Sequence, residues 1–462
     1  MGSKWHQAKL GTYIDSCLGK MLDQNKNKGD YCKYLGNSNV RWGYFELDEL
    51  SEMRFESHEH ERYGIRKGDL IICEGGEPGR CAIWEDETPN MKIQKALHRV
   101  RTLEGLDSEY LYYWFLFAGR TGRLDAYFTG TTIKHLTGKA LSELPIDIPP
   151  LSYQKYCAKI LRSLDKKITL NRQINQTLEQ MAQTLFKSWF VDFDPVIDNA
   201  LDAGNDIPDS LQERAEQRRL LRAKADFKPL PVETRALFPS EFEETELGWV
   251  PKGWAVRPAE EIAEISIGKT PPRAETHWFS ENSLQNIPWV SIKDMGTCGV
   301  FTNGSSEYLV PEGVDKFNVK LVPKDSIILS FKLTLGRVAI TNERLTTNEA
   351  IAHFINPKFG LSKEFIYCYL MDFNFDLLGS TSSIATAVNS KIIKMMPFLV
   401  PKFDVTKHYT ETVRNIFEKI KMTSDEINVL VQLRDSLLPK LISGELTLDD
   451  LPADIADAAE AL

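Results

Sequence analysis

The sequence Asp69-Leu-Ile-Ile-Cys73, followed after a short gap by Gly79-Arg-Cys-Ala-Ile83, decides the organisation of the chain because it occurs twice. Its counterpart is Asp325-Ser-Ile-Ile-Leu329, followed by Gly336-Arg-Val-Ala-Ile340. The run at Gly336 lies one position further from its counterpart at Gly79 than the run at Asp325 lies from its counterpart at Asp69. This difference predicts one residue inserted between the two runs of the second copy. Short β-branched runs bounded by glycine are typical of strands. The repeat therefore predicts two copies of one unit containing a strand, a loop and a strand.

Further matching segments extend the duplication over both halves of the chain. They pair Trp5 and Gly19-Lys20 with Trp254 and Gly268-Lys269, Glu109–Tyr112 with Glu364–Tyr367, and Pro145–Pro149 with Pro397–Pro401. Because the glycines and prolines match along with the apolar residues, we prefer duplication to a chance resemblance between unrelated strands. A repeat that occupies half of the chain is too long for a solenoid. We expect two mixed α/β domains, with helices at Ser108–Phe117 and Lys363–Met371.

Each copy is followed by a long stretch with helical periodicity. Its apolar residues alternate at spacings of three and four, which is typical of a coiled-coil seam. The first helix has Leu161, Leu164, Ile168, Leu178 and Leu185, and the second has Val413, Ile416, Ile420, Ile427, Leu430 and Leu437. About 40 residues of helix would span roughly 60 Å at a rise of about 1.5 Å per residue. That length suits a spacer between domains.

Each of these helices needs an apolar partner, and the other copy is the obvious one. An antiparallel pair would place the two domains at opposite ends, related by approximate two-fold symmetry. The polar seam residues Asn171, Asn175 and Thr423 could fix the register, at some cost in stability. The alternative is that each helix packs separately on its own domain.

These patterns predict six segments. They are a first domain at 1–150, a central spacer helix at 151–190, a linker with a helix at 191–246, a second domain at 247–401, a C-terminal spacer helix at 402–443 and an acidic tail at 444–462. Within the linker, Gln212–Ala225 has the composition of a helix. The acidic run Glu241–Glu246 is expected to be a solvated loop.

Net charge and cysteine content limit the possible partners. The net charge is −9, but residues 191–250 hold 14 acidic against 7 basic side chains, and the tail 444–462 holds 6 acidic and none basic. The rest of the chain is slightly basic, so a local nucleic-acid-binding face is possible. The seven scattered cysteines indicate free thiols and no metal site. Without a signal-like or membrane-spanning segment, we expect a cytoplasmic protein with no membrane partner.

Specific strings resemble the specificity (S) subunit of type I restriction–modification enzymes. They are Ile148-Pro-Pro-Leu-Ser-Tyr-Gln154, Asn175–Phe190, Leu247-Gly-Trp-Val-Pro-Lys-Gly-Trp254, Leu433–Leu446 and the loop Gly268-Lys-Thr-Pro271. The resemblance covers nearly the whole chain. Gly19-Lys-Met-Leu22 departs from it by lacking the Thr-Pro, and Val400-Pro-Lys-Phe403 lacks a second proline and a glutamine.

This resemblance implies a function and a set of partners. Such a subunit carries two target recognition domains, each binding one half of a bipartite site in double-stranded DNA. The paired helices set the gap between the halves. Two methyltransferase (M) subunits that use S-adenosylmethionine and restriction (R) subunits that use ATP and Mg would be the partners. The subunit itself would have no cofactor and no catalytic residue.

Base recognition requires loops that carry donors and acceptors, with basic residues placed against the phosphates. The candidates for DNA binding are Arg80, Thr131, Thr132, Lys134, Lys269, Arg273, Lys332, Arg337, Ser380, Ser382 and Ser383. The prediction concerns the loops, since any single residue among them could be an ordinary turn residue. His135 is expected to be structural.

The sequence offers little for an enzyme of its own. Neither Gly75–Gly79 nor Asn286–Trp289 matches the motifs of an adenine methyltransferase. A nuclease would need clustered carboxylates with a lysine, a set that the sequence does not offer. The run Gly268-Lys-Thr270 lacks the upstream glycine of a nucleotide-binding loop. The remaining alternative is a coiled-coil scaffold that binds only proteins.

Overall fold

The computed structural model describes residues 5–23, 27–131, 133–378 and 388–446. The chain forms two compact units. Unit 1 comprises residues 1–170 and 427–462, and unit 2 comprises residues 171–426. Each unit therefore contains one copy of the repeated domain together with part of both long helices. We refer to residues 1–150 as module 1 and residues 247–401 as module 2.

Module 1 is built from eleven strands and three helices among its described residues. The strands are β1 (His6–Lys9), β2 (Ile14–Leu18), β3 (Asp30–Leu35), β4 (Val40–Arg41), β5 (Tyr44–Phe45), β6 (Glu52–Phe55), β7 (Leu70–Cys73), β8 (Cys81–Ile83), β9 (Lys92–Ile93), β10 (Leu97–Thr102) and β11 (Pro145–Ile148). The helices are α1 (Glu59–Tyr63), α2 (Ser108–Arg120) and α3 (Gly138–Glu143). The long helix α4 (Leu151–Phe190) follows.

Residues 191–443 contain the remaining elements. The helices are α5 (Asp194–Ala203), α6 (Gln212–Arg222), α7 (Val232–Arg235), α8 (Ala259–Ile262), α9 (Ile292–Met295), α10 (Pro311–Lys316), α11 (Lys363–Asp372), α12 (Ser390–Met395) and α13 (Phe403–Ser443). The strands are β12 (Phe242–Thr245), β13 (Gly248–Pro251), β14 (Ala255–Pro258), β15 (Glu264–Ile267), β16 (Phe279–Ser280), β17 (Ile287–Val290), β18 (Tyr308–Leu309), β19 (Ile327–Ser330), β20 (Val338–Ile340), β21 (Thr346–Thr347), β22 (Ile351–Ile355) and β23 (Pro397–Val400).

The main sheets of the two modules have the same topology, while the smaller sheets around β3 and β17 differ in strand number. The strand order β2-β10-β7-β8 in module 1 corresponds to β15-β22-β19-β20 in module 2. The pair β1-β11 corresponds to β14-β23, and the parallel pair β3-β9 corresponds to β17-β21. The predicted helices are present as α2 and α11, each packed beside its sheet. The prediction of two mixed α/β copies is confirmed.

The register of the sheets corrects the predicted insertion. Leu70 pairs with Ile83 and Ile327 pairs with Ile340, so both strands of the hairpin are displaced equally between the two copies. The predicted residue inserted between the two runs is wrong. The Trp84 amide donates to the carbonyl of Asp69, while the Thr341 amide donates to that of Ser326. Asp69 therefore corresponds to Ser326, not to Asp325, because hydrogen bonding and not residue identity sets the register.

A glycine at the end of β2 and of β15 allows two segments to meet. The Gly19 amide donates to the Leu97 carbonyl, and the Gly268 amide donates to the Ile351 carbonyl. A Cβ at Gly19 would overlap the backbone carbonyl of Gln94, and one at Gly268 would overlap that of Asn348. The matching glycines thus mark a close backbone approach that no other residue permits.

The long helices run antiparallel within each unit. In unit 1, Arg434 donates to Asp165 at 2.8 Å, and the Tyr153 hydroxyl donates to the Leu441 carbonyl at 3.0 Å. In unit 2, Asn171 donates to Glu426 at 2.9 Å. Residue numbers rise along one helix as they fall along the other, so the prediction of an antiparallel pair is confirmed.

The predicted seam residues face the helix pair or the module that it supports. Leu161, Ile168, Val413, Ile420 and Leu437 are buried, and Leu164, Leu178, Leu185, Ile416, Ile427 and Leu430 are half-buried. The polar layer predicted from the asparagines is also present. The Thr423 hydroxyl donates to the Asn175 carboxamide oxygen at 2.6 Å, and the Asn175 amide nitrogen donates to the Ser424 hydroxyl at 3.0 Å.

Each module is attached to the helices of its own unit. In unit 1 the Tyr113 hydroxyl donates to Asp165 at 2.8 Å, and in unit 2 the Tyr367 hydroxyl donates to Glu179 at 2.6 Å. In unit 2 an aromatic cluster joins α4, α11 and α13, with the rings of Phe190 and Tyr409 5.1 Å apart. The modules are therefore fixed on the helices by buried contacts.

The linker contains one predicted and one unexpected element. The predicted helix is observed as α6, held against α5 by the ion pair between Arg218 and Asp198. The acidic run Glu241–Glu246 is not the predicted loop, because Phe242–Thr245 forms β12 and pairs with β13. Gly248, with a φ of +89°, permits the tight turn between these strands.

Some expectations concern residues outside the described ranges. The acidic tail beyond Leu446 is one of them. Among the described residues, no helix has the length and hydropathy needed to span a membrane. The seven cysteines have free thiols, as predicted.

Candidate nucleic-acid interface

The loops at one edge of each four-stranded sheet form the candidate site. In module 1, β2 and β7 end at this edge, and β8 and β10 begin there, because neighbouring strands are antiparallel. We call the loops 19–23, 74–80 and 94–96 edge 1. The corresponding loops 268–273, 331–337 and 348–350 are edge 2.

Backbone hydrogen bonds join the loops of edge 1 into one surface. The Glu74 amide donates to the Ala96 carbonyl and the Lys95 amide to the Lys20 carbonyl, both at 2.8 Å. The Leu136 amide donates to the Glu74 carbonyl at 2.7 Å, which adds residues 129–131 and 133–136 to this surface. The structure therefore brings the predicted residues Arg80, Thr131 and Lys134 into one region.

These predicted residues of module 1 differ in what their side chains do. Lys134 is exposed, with its ammonium group 5.7 Å from the centre of the Phe128 ring. Thr131 is exposed, and the half-buried His135 packs beside Gly75. Arg80 instead turns inward, donating to the Asn37 carbonyl at 3.0 Å and pairing with Glu77 at 3.0 Å.

Edge 2 is assembled by equivalent backbone bonds. The Phe331 amide donates to the Ala350 carbonyl at 2.9 Å, as the Glu74 amide does to Ala96 in edge 1. The Lys269 amide donates to the Thr347 carbonyl at 2.9 Å, as the Lys20 amide does to Ile93 at 3.1 Å. All four predicted basic residues of module 2 lie on edge 2.

The side chains of edge 2 show how its cations are held. The Lys269 ammonium donates to the Phe317 carbonyl at 2.6 Å. Arg273 forms a bidentate ion pair with Glu307 at 2.7 and 2.9 Å. Its guanidinium group also lies over Trp289, with the guanidinium carbon 4.5 Å from the ring centre. Lys332 is exposed. An arginine held flat in this way can offer its remaining donors to a phosphate or a base edge.

Arg337 has the same internal role as Arg80. It donates to the Ile292 carbonyl at 2.5 Å, and Ile292 follows β17 as Asn37 follows the equivalent strand β3. Both arginines therefore hold the turn after that strand against the loop of the edge. Part of each guanidinium group is used for this contact, which favours positioning of the loop over base contact for these two residues.

The two edges differ in charge at one equivalent position. Lys95 follows Gln94, and Glu349 follows Asn348, the two residues whose carbonyls face the matching glycines. Partial burial opposes ionisation of Glu349, but the Thr270 hydroxyl and the nearby cations Lys332 and Arg273 outweigh it and lower the pKa of Glu349. Edge 2 thus carries a carboxylate among its cations where edge 1 carries a lysine.

Several site residues were missed or cannot be placed. Thr132, Ser380, Ser382 and Ser383 lie outside the described residues. The prediction missed Asn37 and Trp42, whose indole donates to Glu77 at 2.7 Å, because both are distant in sequence from the edge. It also missed Lys95 and Glu349, although the matching glycines could have identified their loops.

A metal site receives little support within the described ranges. The one group there with three possible ligands is Glu56, His58 and Glu59. Glu59 is already paired with Lys20, which also donates to the Arg54 carbonyl at 2.8 Å. This ion pair accounts for the Glu59 carboxylate without a metal.

Comparison with known proteins agrees with the duplicated architecture. The family model described as type I restriction modification DNA specificity domain matches residues 3–180 and again 251–432. The chain is 29% identical over 480 residues to the type I restriction enzyme HindI specificity subunit of Haemophilus influenzae, covering 96% of this chain and 100% of the relative. It is 26% identical over 392 residues to the MjaIX specificity subunit of Methanocaldococcus jannaschii, covering 83% of this chain and 79% of the relative.

A solved structure shares the fold. The crystal structure of the type I restriction–modification system S subunit from M. genitalium superposes with a TM-score of 0.52, covering 95% of this chain and 96% of the other. The sequence identity over this superposition is 17%. At that identity the likeness bears on the fold alone.

Proposed function

Because the chain belongs to the family of type I restriction–modification DNA specificity domains, we propose that it is the specificity subunit of such a complex. It binds one bipartite site in double-stranded DNA, with edge 1 on one half and edge 2 on the other. The observation that carries this proposal is the duplicated edge. The main sheets of both modules have the same strand order and present equivalent loops with different side chains, which suits two half-sites of different sequence.

Rigid support of both edges favours this function over a protein scaffold. The loops of each edge are tied together by backbone bonds, and each module is fixed to the helices by buried contacts. Loops held in this way keep their donors and acceptors in a defined geometry, which base recognition requires. A scaffold would need no such loops at equivalent positions.

The helix pair provides the spacing between the half-sites. Helices α4 and α13 have 40 and 41 residues and contribute to both units. Two modules joined in one chain gain from effective concentration, so neither module needs to bind tightly alone.

We expect the length of the helices to fix the gap between half-sites. Four residues are deleted from each helix at positions that pack against each other. We expect this change to alter the gap and to leave both half-sites unchanged. Sequencing of methylated sites in cells measures both properties. A change in the half-sites themselves would contradict the spacer function.

The catalytic steps belong to partner subunits in this proposal. Two methyltransferase subunits supply S-adenosylmethionine-dependent modification, and restriction subunits supply ATP- and Mg-dependent cleavage. The chain itself has no catalytic residue and no cofactor. The name of the relatives, specificity subunit, supports this division of labour.

A band-shift assay tests DNA binding against the scaffold alternative. The chain is purified with its methyltransferase partner and titrated with random duplexes at two salt concentrations. We expect binding that weakens as salt rises, because phosphate contacts release counterions. The partner alone serves as the control. Binding that does not depend on this chain, or does not change with salt, would favour the scaffold.

A further inference from the structure

Leu333 stands out at the tip of the loop between β19 and β20 on edge 2. Its side chain is 100% exposed, the highest value among the large apolar side chains described. Its backbone has a φ of +62°, the left-handed region that favours glycine. Exposure of the apolar side chain and the unfavourable backbone conformation both cost free energy, so the fold alone does not explain a leucine here.

The loop is held rigidly in this conformation. The Thr334 amide donates to the Lys332 carbonyl at 2.7 Å, and the Gly336 amide donates to the Ser330 carbonyl at 3.0 Å. The Ser330 hydroxyl donates to the Thr334 carbonyl at 2.6 Å. Arg337 fixes the end of the loop by its bond to Ile292. Leu333 is therefore presented to solvent by a fixed turn.

In module 1 the equivalent turn has a glycine in place of the leucine. When the two hairpins are aligned by their strand pairing, Gly76 occupies the place of Leu333, with a φ of +75°. The Glu77 amide donates to the Gly75 carbonyl at 3.0 Å, matching the bond from Thr334 to Lys332. A Cβ at Gly76 would meet the Asn37 amide nitrogen at 2.6 Å, so this place is covered in module 1 and open in module 2.

We propose that Leu333 makes an apolar contact with a base in the half-site bound by module 2 and determines specificity there. The inference rests on the proposed function. Lys332, next to it, is exposed and suited to the neighbouring phosphate. Apolar side chains recognise bases through the thymine methyl group or through a base face, and both contacts depend on sequence. Edge 1 has glycine at this position and cannot make such a contact.

The test uses the full chain with its methyltransferase partner. The probe is a duplex carrying the split motif that methylation by the wild-type complex defines. Leu333→Gly and Leu333→Asn both suit a left-handed backbone, so neither should impair folding. We expect each to weaken binding to this duplex by about tenfold, the effect of losing one base contact. Binding to a random duplex and its salt dependence should stay unchanged.

Two matched variants separate an apolar contact from a general effect. Leu333→Met keeps an apolar side chain and should bind within about twofold of the wild type. Leu220→Ala removes another exposed leucine, on the linker helix α6, and should bind as the wild type does. Methylation by the Leu333→Asn complex should become degenerate in one half of the motif and keep the other half.

The outcomes distinguish failure of this inference from failure of the proposed function. If the wild type discriminates the split motif from random DNA while Leu333→Gly and Leu333→Asn bind like the wild type, the assignment of Leu333 is overturned. If the wild type itself shows no such discrimination, the proposed function fails. Equal loss in Leu333→Met and Leu333→Asn would also overturn an apolar contact.

Discussion

Edge 1 and edge 2 share a backbone framework and differ in the side chains that it presents. The strand order, the glycines that allow close approach and the arginines that hold the loops are equivalent. Lys95 of edge 1 is at the position equivalent to Glu349 of edge 2, and Gly76 is at the position equivalent to Leu333. Framework residues thus preserve the geometry of the loops, while a few exposed positions differ between the two edges. Residues that build an edge therefore differ from the exposed residues that we propose to contact DNA.

The largest effect is expected at the matching glycines. Gly19→Val and Gly268→Val would force a side chain into the backbone of the neighbouring loop. We expect each to lower the free energy of unfolding of its own unit by about 3 kcal/mol. Denaturant unfolding followed by hydrogen exchange would show which unit is affected.

Gly299→Ala is the control for these variants, because no atom lies within 4 Å of the added Cβ. It should change the stability by less than about 1 kcal/mol. If Gly19→Val and Gly268→Val are as harmless as this control, the common framework is not what holds the edges.

Acidification should lower the folding stability through His353, a position at which the two sheets differ. By register, buried Arg99 of β10 corresponds to buried His353 of β22. Burial lowers the pKa of His353 to about 3 from its ordinary value of 6.5. Above pH 6.5 the imidazole is neutral in both states and contributes nothing. As pH falls from 6.5 towards 3 the unfolded chain binds a proton that the folded chain does not, so stability falls.

His353→Gln should remove this loss while keeping a side chain that can bond to Ser266 and Thr347. We expect the wild type to lose about 3 kcal/mol more unfolding free energy than the variant between pH 6.5 and 4. Urea unfolding at a series of pH values measures the difference. Parallel pH profiles for the two proteins would argue against a neutral buried His353.

The two arginines that hold the loops should affect stability more than DNA binding. Arg80→Met and Arg337→Met each remove a charged side-chain donor to a backbone carbonyl, which costs about 1.5–3 kcal/mol. We expect the salt dependence of binding to random DNA to stay the same. In contrast, Lys134→Met and Lys332→Met should each reduce the slope of log K against log salt by about 1. A reduced slope for Arg80→Met would show that this arginine contacts a phosphate.

The smallest effect is expected from the charge difference between the edges. Lys95→Glu should weaken binding to random DNA at low salt, and Glu349→Lys should strengthen it, each by about threefold. The effect should disappear at high salt because the charges are screened. Changes of equal sign in the two variants would contradict equivalent placement.

The sequence contained most of the fold because the duplication repeats apolar runs, glycines and prolines together. It predicted the strand Leu70–Cys73, the helices α2 and α11, and the long helices with their polar layer. It did not reveal β10, whose sequence Leu97–Thr102 includes Arg99 and Arg101 at buried or half-buried positions. These charges are compensated by Asp15 and Asp69 from distant segments, which a local pattern does not show.

The candidate site was only partly predictable for a similar reason. Glycine and basic residues in loops indicated the edges, but whether an arginine points outward depends on its partners. Arg80 and Arg337 are bound to turns that lie far from them in the sequence. Leu333 was missed because an apolar residue in a loop carries no sequence signal for DNA binding. Only its exposure and its backbone conformation make it distinctive.

Sequencing the methylome of cells that express this chain with its methyltransferase partner tests the central idea most directly. Two equivalent edges in one chain predict a motif of two specified blocks separated by a gap of constant length, with a modified base in each block. A single uninterrupted motif, or modification that does not depend on this chain, would contradict it.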